Sequence, residues 1–207
     1  MTKFIYQEYS FCDGDIKVFF LNIEDNKNLI DLNLIPHTQL TQILSYKNKK
    51  DRDKRLIART FLYNYCKNNY QLNDFNVFYN KYAKPYFNST KIKFSFSYSK
   101  DYILIGISLD RDIGVDIEYK DKSLDIQNLV SSVMHVEEIL VYEGLNAQSK
   151  VDYFYDIWSS KESYIKKIGV GLSYDISSLN IAHDIQDNHV VMLKGIEGYS
   201  IYLTYEK

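Results

Sequence analysis

Cysteine is scarce in this chain: Cys12 and Cys66 are the only two. Two thiols cannot form a disulfide framework or a cysteine-ligated metal cluster. Cys66 follows Leu62 by one helical turn, so the expectation is a small buried core residue. The histidines are His37, His135, His183 and His189, and no two of them show the i, i+4 spacing of a helical metal site. No serine sits in a nucleophile elbow. Long apolar runs are missing too. No stretch reaches the roughly 18 apolar residues that a membrane span needs, and Met1–Phe11 has no apolar core of a secretion signal. The expectation is a cytoplasmic chain that does not enter a membrane. Proline occurs only at 36 and 85, and no Pro/Gly/Ser-rich linker or tandem repeat divides the sequence. The two halves are therefore expected to pack as one unit.

What is present is a globular composition. The 207 residues are 45% hydrophobic and 25% charged, long enough for a sizeable core. The net charge of −2 conceals an asymmetry. Residues 1–100 carry 16 Lys/Arg against 9 Asp/Glu, and residues 101–207 carry 9 against 18. A basic half and an acidic half can together hold a polyanion and a cation. They can equally be two solvated faces of opposite sign.

Residues 3–9 and 16–23 are rich in β formers and predict strands. Residues 38–45 predict a short helix. Lys47–Lys67 holds eight Lys/Arg against Asp51 and Asp53. Ile57, Phe61 and Tyr65 give it an apolar stripe, so it reads as an amphipathic helix with a cationic face. Arg55 and Arg59, one turn apart on one side, could clamp phosphates; otherwise the face only keeps the helix soluble. A basic run also suggests nucleic acid, but the chain is mildly acidic overall and carries no nucleic-acid module, so none is expected. Pro85 restricts Lys84 to an extended conformation and presents its ammonium from a loop. Phe94–Ser99 alternates aromatic and small polar residues, as a strand with one polar face does, and Tyr102–Ser108 is an apolar strand. Further on, 124–142 predicts one or two helices, 144–150 a loop, 153–168 a helix ended by Gly169 and Gly171, and 178–182, 190–194 and 199–205 closing strands.

Two stretches carry the chemistry. In Ile113-Gly114-Val115-Asp116-Ile117-Glu118 the period is two, so Ile113, Val115 and Ile117 face the core while Asp116 and Glu118 share the other side. Two carboxylates on one strand face repel, and a hard cation such as Mg²⁺ would resolve the repulsion with oxygen ligands. An exposed strand face would also tolerate them. In Trp158-Ser159-Ser160-Lys161-Glu162-Ser163-Tyr164-Ile165-Lys166, residues 158, 162 and 166 lie on one helical stripe. Alone, Glu162 and Lys166 read as a solvated pair of about 0.2–0.5 kcal/mol.

Together, Gly114–Glu118 and Trp158–Lys166 resemble the two-part signature of the Sfp-type 4′-phosphopantetheinyl transferases, a G-[IV]-D-[IV]-E strand and a W-[ST]-x-K-E-[SA]-x-x-K helix. Gly169–Ser173 resembles the G-x-G-L-S that follows, Tyr82–Pro85 the family's [YG]-x-K-P, Phe94–Ser99 its F-N-x-S-H-S strand, and Arg59–Leu62 its R-x-L-L. The resemblance covers roughly residues 44–173.

It implies an α+β fold in a pseudo-two-fold arrangement of two similar halves, with coenzyme A in the cleft between them. Residues 1–100 would form the basic half that contacts coenzyme A phosphates, and 101–207 the half with Mg²⁺-binding and catalytic carboxylates. The implied activity is transfer of the 4′-phosphopantetheine arm of coenzyme A to a serine of an apo acyl or peptidyl carrier protein, by a monomer. Asp116, Glu118 and Glu162 are the implied metal ligands, with Glu162 and Lys166 catalytic. Arg59, Lys84, Ser97, Tyr98, Asp116, Lys161 and Lys166 are the implied coenzyme A contacts. Glu137 and Glu138 compete for one further acidic position. Two departures stand out: Tyr98 replaces the usual histidine and Ser95 the usual asparagine. The expectation is weaker coenzyme A binding, or compensation from Lys91 or Lys93. The alternative is another Mg²⁺-dependent phosphoryl-transfer enzyme, a nuclease or phosphohydrolase, which has no reason to carry Lys84-Pro85 and the Phe94–Ser99 strand.

Overall fold

Strand-forming residues at both ends of the first hundred positions meet in one antiparallel sheet. The structure is a computed structural model and describes residues 3–88 and 90–207. β1 (Tyr6–Phe11), β2 (Ile16–Asn22), β5 (Lys93–Ser99) and β6 (Tyr102–Ser108) lie in the order β1-β2-β6-β5. The β1–β2 turn needs left-handed backbone at Cys12, Asp13 and Gly14, and Lys100 makes the same excursion between β5 and β6. A separate hairpin pairs β3 (Val77–Tyr79) with β4 (Pro85–Phe87).

Two short helices, α1 (Ile23–Asn26) and α2 (His37–Leu44), precede the long α3 (Lys49–Tyr70). Asn48 caps α3 by accepting the N–H groups of Lys50 and Asp51, and Gln71 ends it in the left-handed region, as capping chemistry predicts. The buried stripe of α3, including Ile57, Phe61 and Leu62, packs on Phe19, Leu21, Phe94, Ile103, Ile105 and Ile107. Each such side chain contributes about 1.5–3 kcal/mol on burial. Cys66 is fully buried in this core, and burial pushes its thiol pKa up to about 12. Tyr63 donates to the Gln39 carbonyl oxygen, and the Gln39 amide donates to the Phe75 carbonyl, so the buried polar groups are satisfied.

The chain forms two compact units. The first runs to Asn80 and resumes at Pro85–Asp110; the second comprises Lys81–Lys84 and Arg111–Lys207. The main division falls at Asp110/Arg111, not at 100/101. The reason is β6, which is hydrogen-bonded to both β2 and β5 along its whole length.

The second unit repeats the plan of a long helix on an antiparallel sheet. β7 (Ile113–Tyr119), β9 (Tyr199–Glu206) and β8 (Asn188–Met192) lie in the order β7-β9-β8. α4 (Val130–Val133), α5 (Val136–Glu143), α6 (Ala147–Ile168) and α7 (Ile181–Asp184) complete it. Two expectations fail here. The stretch 144–150 is a loop only to Asn146, which caps α6 by accepting the Ser149 N–H, so the helix starts six residues early. The stretch 178–182 is not a strand: Asp175 and Asn180 cap successive helical turns with their side chains. Local capping outcompetes the weak β preference of Leu179 and Ile181.

Candidate functional site

Gly114 sets how close α6 comes to β7. A Cβ on residue 114 would lie 1.9 Å from the Ser163 carbonyl oxygen and 2.4 Å from the Lys167 backbone nitrogen. Only a residue without a side chain permits that approach. The small residues Ser159, Ser160 and Ser163 line the buried side of α6, and Ser163 Oγ meets Thr204 Oγ1 at 2.7 Å.

This approach brings the carboxylate strand and the helix stripe together. Lys166 Nζ donates to Asp116 Oδ1 at 2.6 Å, and Asp116 is almost wholly buried. The alternative of an exposed strand face does not hold at Asp116: its side faces α6, and the strand is buried on both faces as far as Ile117. By strand alternation Glu118 shares that side and is half-buried. Glu162 is also half-buried. Its carboxyl pKa is raised, chiefly by burial and further by the Asp116 charge, against which Lys166 lowers it. Two carboxylates that sense each other and a lysine that neutralises them thus occupy one edge of the second unit. Trp158 anchors the same stripe against Phe154, ring to ring at 5.5 Å.

Lys161 points into the unit. The signature implied a phosphate contact, yet its side chain is fully buried. Nζ lies 2.6 Å from Glu138 Oε2 and donates to the carbonyls of Val133 at 2.8 Å and Ile176 at 3.2 Å. Three N–H groups have three acceptors, which leaves none for a ligand. Glu138 also accepts the His135 and Ile181 backbone N–H groups, so it is a structural hub. Glu137 is exposed and pairs with Asn180 at 2.7 Å.

Lys84 meets backbone acceptors. It donates to the Lys167 carbonyl at 2.7 Å and the Ile113 carbonyl at 3.3 Å. It thereby fastens residues 81–84 to the end of α6 and the start of β7, where helix carbonyls lack partners. Sequence spacing gave no signal for this, because the acceptors are backbone atoms far along the chain.

In the first unit, Arg59 of α3 lies over the Phe96 ring, 4.3 Å from its centroid. Its Nε and Nη1 are buried and have no hydrogen-bond partner among the described residues. Arg55 lies 4.1 Å over the Tyr46 ring and 5.1 Å over Tyr98. Ser97 is buried. Strand alternation puts it on the opposite face of β5 from Phe96 and Tyr98. Among the described residues no three His, Cys, Asp or Glu side chains stand together as a ready metal cage.

A long helix seated on an antiparallel sheet through a glycine, with acidic strand and Glu/Lys helix adjoining, defines an α+β unit whose sequence is recognisable. Residues 112–204 match the family model of the 4′-phosphopantetheinyl transferase superfamily. The chain is similar to named members. It is 30% identical over 135 residues to 4′-phosphopantetheinyl transferase gsp of Aneurinibacillus migulanus, covering 64% of this chain and 55% of that protein. It is 28% identical over 140 residues to 4′-phosphopantetheinyl transferase Sfp of Bacillus subtilis (strain 168), covering 66% of this chain and 61% of that one. A third, the L-aminoadipate-semialdehyde dehydrogenase-phosphopantetheinyl transferase of Xenopus laevis, is 33% identical over 92 residues, 42% of this chain and 30% of that one. The similarity to Sfp-type transferases is thus shown by the family model and by individual relatives. The chain spans 55%, 64% and 61% of the first three curated relatives it matches.

Proposed function

We propose that this chain transfers the 4′-phosphopantetheine arm of coenzyme A to a serine of an apo acyl or peptidyl carrier protein. The observation that carries the reading is the Asp116–Lys166 pair beside Glu162, inside the segment that matches the superfamily. The serine oxygen attacks the β-phosphorus of coenzyme A and forms a new P–O bond. The bond from that phosphorus to the bridging oxygen breaks, and adenosine 3′,5′-bisphosphate leaves. Glu162, kept more basic than a solvated carboxylate by burial, takes the serine proton. Lys166 neutralises the departing phosphate.

Mg²⁺ belongs to this reading. Asp116, Glu118 and Glu162 are oxygen donors of the kind a hard dication takes, and the repulsion between Asp116 and Glu162 is what such a charge would relieve. Bound there, it would neutralise pyrophosphate oxygens. A cytoplasmic monomer that acts without nucleic acid or membrane is part of the same proposal. Among the described residues no helix is long and apolar enough to cross a membrane. The nuclease or phosphohydrolase alternative draws no support from the relatives named above.

The test is incubation with coenzyme A, Mg²⁺ and candidate apo carriers, read by a carrier mass gain of one phosphopantetheine. Wild type modifies a carrier and Glu162→Ala does not. Absence of modification across fatty-acid, polyketide and peptide-synthetase carriers overturns the reading.

A further inference from the structure

Asp152 and Asp156 stand one turn apart on α6, ahead of the stripe that carries Glu162 and Lys166. Lys120, the residue after β7, reaches both. Its Nζ donates to Asp152 Oδ1 at 3.0 Å and lies 3.3 Å from Asp156 Oδ1. Asp156 Oδ1 also accepts the Ser200 hydroxyl of β9 at 2.6 Å, and the Lys120 N–H donates to the Gly198 carbonyl at 2.8 Å. One half-buried ammonium between two carboxylates, with a hydroxyl from the neighbouring strand, thus joins α6 to both β7 and β9. The transfer chemistry described above does not use this cluster.

Its place in the unit suggests a role. Residues 116, 118 and 120 alternate along one strand face, and α6 covers that face. At one end Lys166 of the helix is tied to Asp116 of the strand. At the other end Lys120 of the strand is tied to Asp152 and Asp156 of the helix. Strand numbers rise as helix numbers fall, so the two elements run antiparallel. The helix from Asp156 to Lys166 rises about 15 Å, and the strand from Asp116 to Lys120 spans about 13 Å. The two tethers therefore match one straight stretch of helix on strand, with Glu118 and Glu162 between them. Ser200, the hydroxyl donor of the cluster, is the residue opposite Glu118 in the β7–β9 register. A slip of α6 along β7 breaks both tethers at once.

We propose that Lys120, through Asp152 and Asp156, is a positioning residue that sets where Glu118 stands relative to Glu162, and with it the affinity of this carboxylate edge for a hard dication. This inference rests on the transferase reading, of which the dication is a part.

The test uses Mn²⁺, which takes the same oxygen donors as Mg²⁺ and whose free form is counted by electron paramagnetic resonance. Titration of the full chain gives a dissociation constant without turnover. Lys120→Met raises it at least about tenfold, the size of effect seen when groups that orient metal ligands are removed. Asp152→Asn with Asp156→Asn does the same and leaves no acid pair to take Mn²⁺ by itself. Lys120→Arg, whose fork reaches both carboxylates, stays within about twofold of wild type. Lys17→Met, which breaks an ion pair with Glu8 in the first unit, leaves the constant unchanged. Urea unfolding of each variant records stability alongside. Variants of Lys120 or of the acid pair that fold less stably yet bind Mn²⁺ as wild type does overturn the inference, because a merely structural pair gives that result. A Lys17→Met protein that loses affinity equally overturns it too. Carrier modification is read separately by mass. Affinity that depends on Lys120 in a protein that modifies no carrier overturns the transferase reading alone. Modification of a carrier with affinity indifferent to Lys120 overturns the inference alone. A wild type that binds no Mn²⁺ overturns the inference together with the metal part of that reading.

Discussion

Lys161 Nζ lies 2.6 Å from Glu138 Oε2, and both side chains are buried. The pair joins α6 to the N-terminus of α5, where Glu138 also closes a capping box with His135. Removing one member leaves the other charge buried and uncompensated. Lys161→Met is expected to lose about 3–5 kcal/mol in urea unfolding. Lys161→Met with Glu138→Leu recovers part of that loss. Equal stability of the single variant and wild type would show that the ammonium is not confined as described.

Gly114 gives the second prediction. Gly114→Ala places a methyl 1.9 Å from the Ser163 carbonyl oxygen, so α6 must move away from β7. Overpacking of this kind costs about 1–3 kcal/mol. Because Lys166 rides on the displaced helix, carrier modification is expected to fall at least tenfold, beyond what lost folded protein explains. A crystal structure of the variant checks whether the Asp116–Lys166 distance grows.

Lys84 separates the structural role found here from the phosphate role that its sequence context implied. Its two carbonyl acceptors lie in the second unit. Lys84→Ala is expected to cost about 1–3 kcal/mol, as for hydrogen bonds to a charged donor, while KM for coenzyme A stays within about twofold. A KM rise of tenfold or more with unchanged stability would reinstate the phosphate contact.

Glu162 makes the stability depend on pH. Its folded pKa is raised above the unfolded value, by burial first and by Asp116 second. The stabilisation is therefore complete below the unfolded carboxylate range and is lost as pH rises through the raised folded value. Glu162→Gln cannot ionise. Its Tm is expected to match wild type in acid and to exceed it by a few degrees at neutral pH, while carrier modification falls at least about 100-fold. Millimolar Mg²⁺ should reverse the Tm order at neutral pH, because the ion favours the charged carboxylate. An unchanged order with Mg²⁺ counts against Glu162 as a ligand.

Periodicity was informative where burial and spacing agree. The apolar alternation of β7 and the helical stripe of α3 could be read directly, and Cys66 fell in the core as its spacing indicated. The mixed α+β class followed from the same patterns. The stretch 178–182 was misread because side-chain caps at Asp175 and Asn180 act locally and leave no periodic trace. Of the site, the Asp116, Glu162 and Lys166 constellation was visible as a motif. Its assembly depends on Gly114, whose role is a distance between backbones. Lys161 and Lys84 show the limit most clearly. A lysine in a signature reads as a ligand contact, yet whether its ammonium reaches solvent is decided by carbonyls and a carboxylate that no local pattern reveals.

The clasp made by Lys84 also bears on how this chain could be divided. The segment with the recognisable superfamily pattern, residues 112–204, omits the four residues 81–84 that pack with it. A fragment cut at Arg111 would keep the signature and lose the donor for the Ile113 and Lys167 carbonyls. The portion that is easiest to recognise is thus smaller than the compact unit it belongs to, and truncation libraries built on it would never contain Lys84.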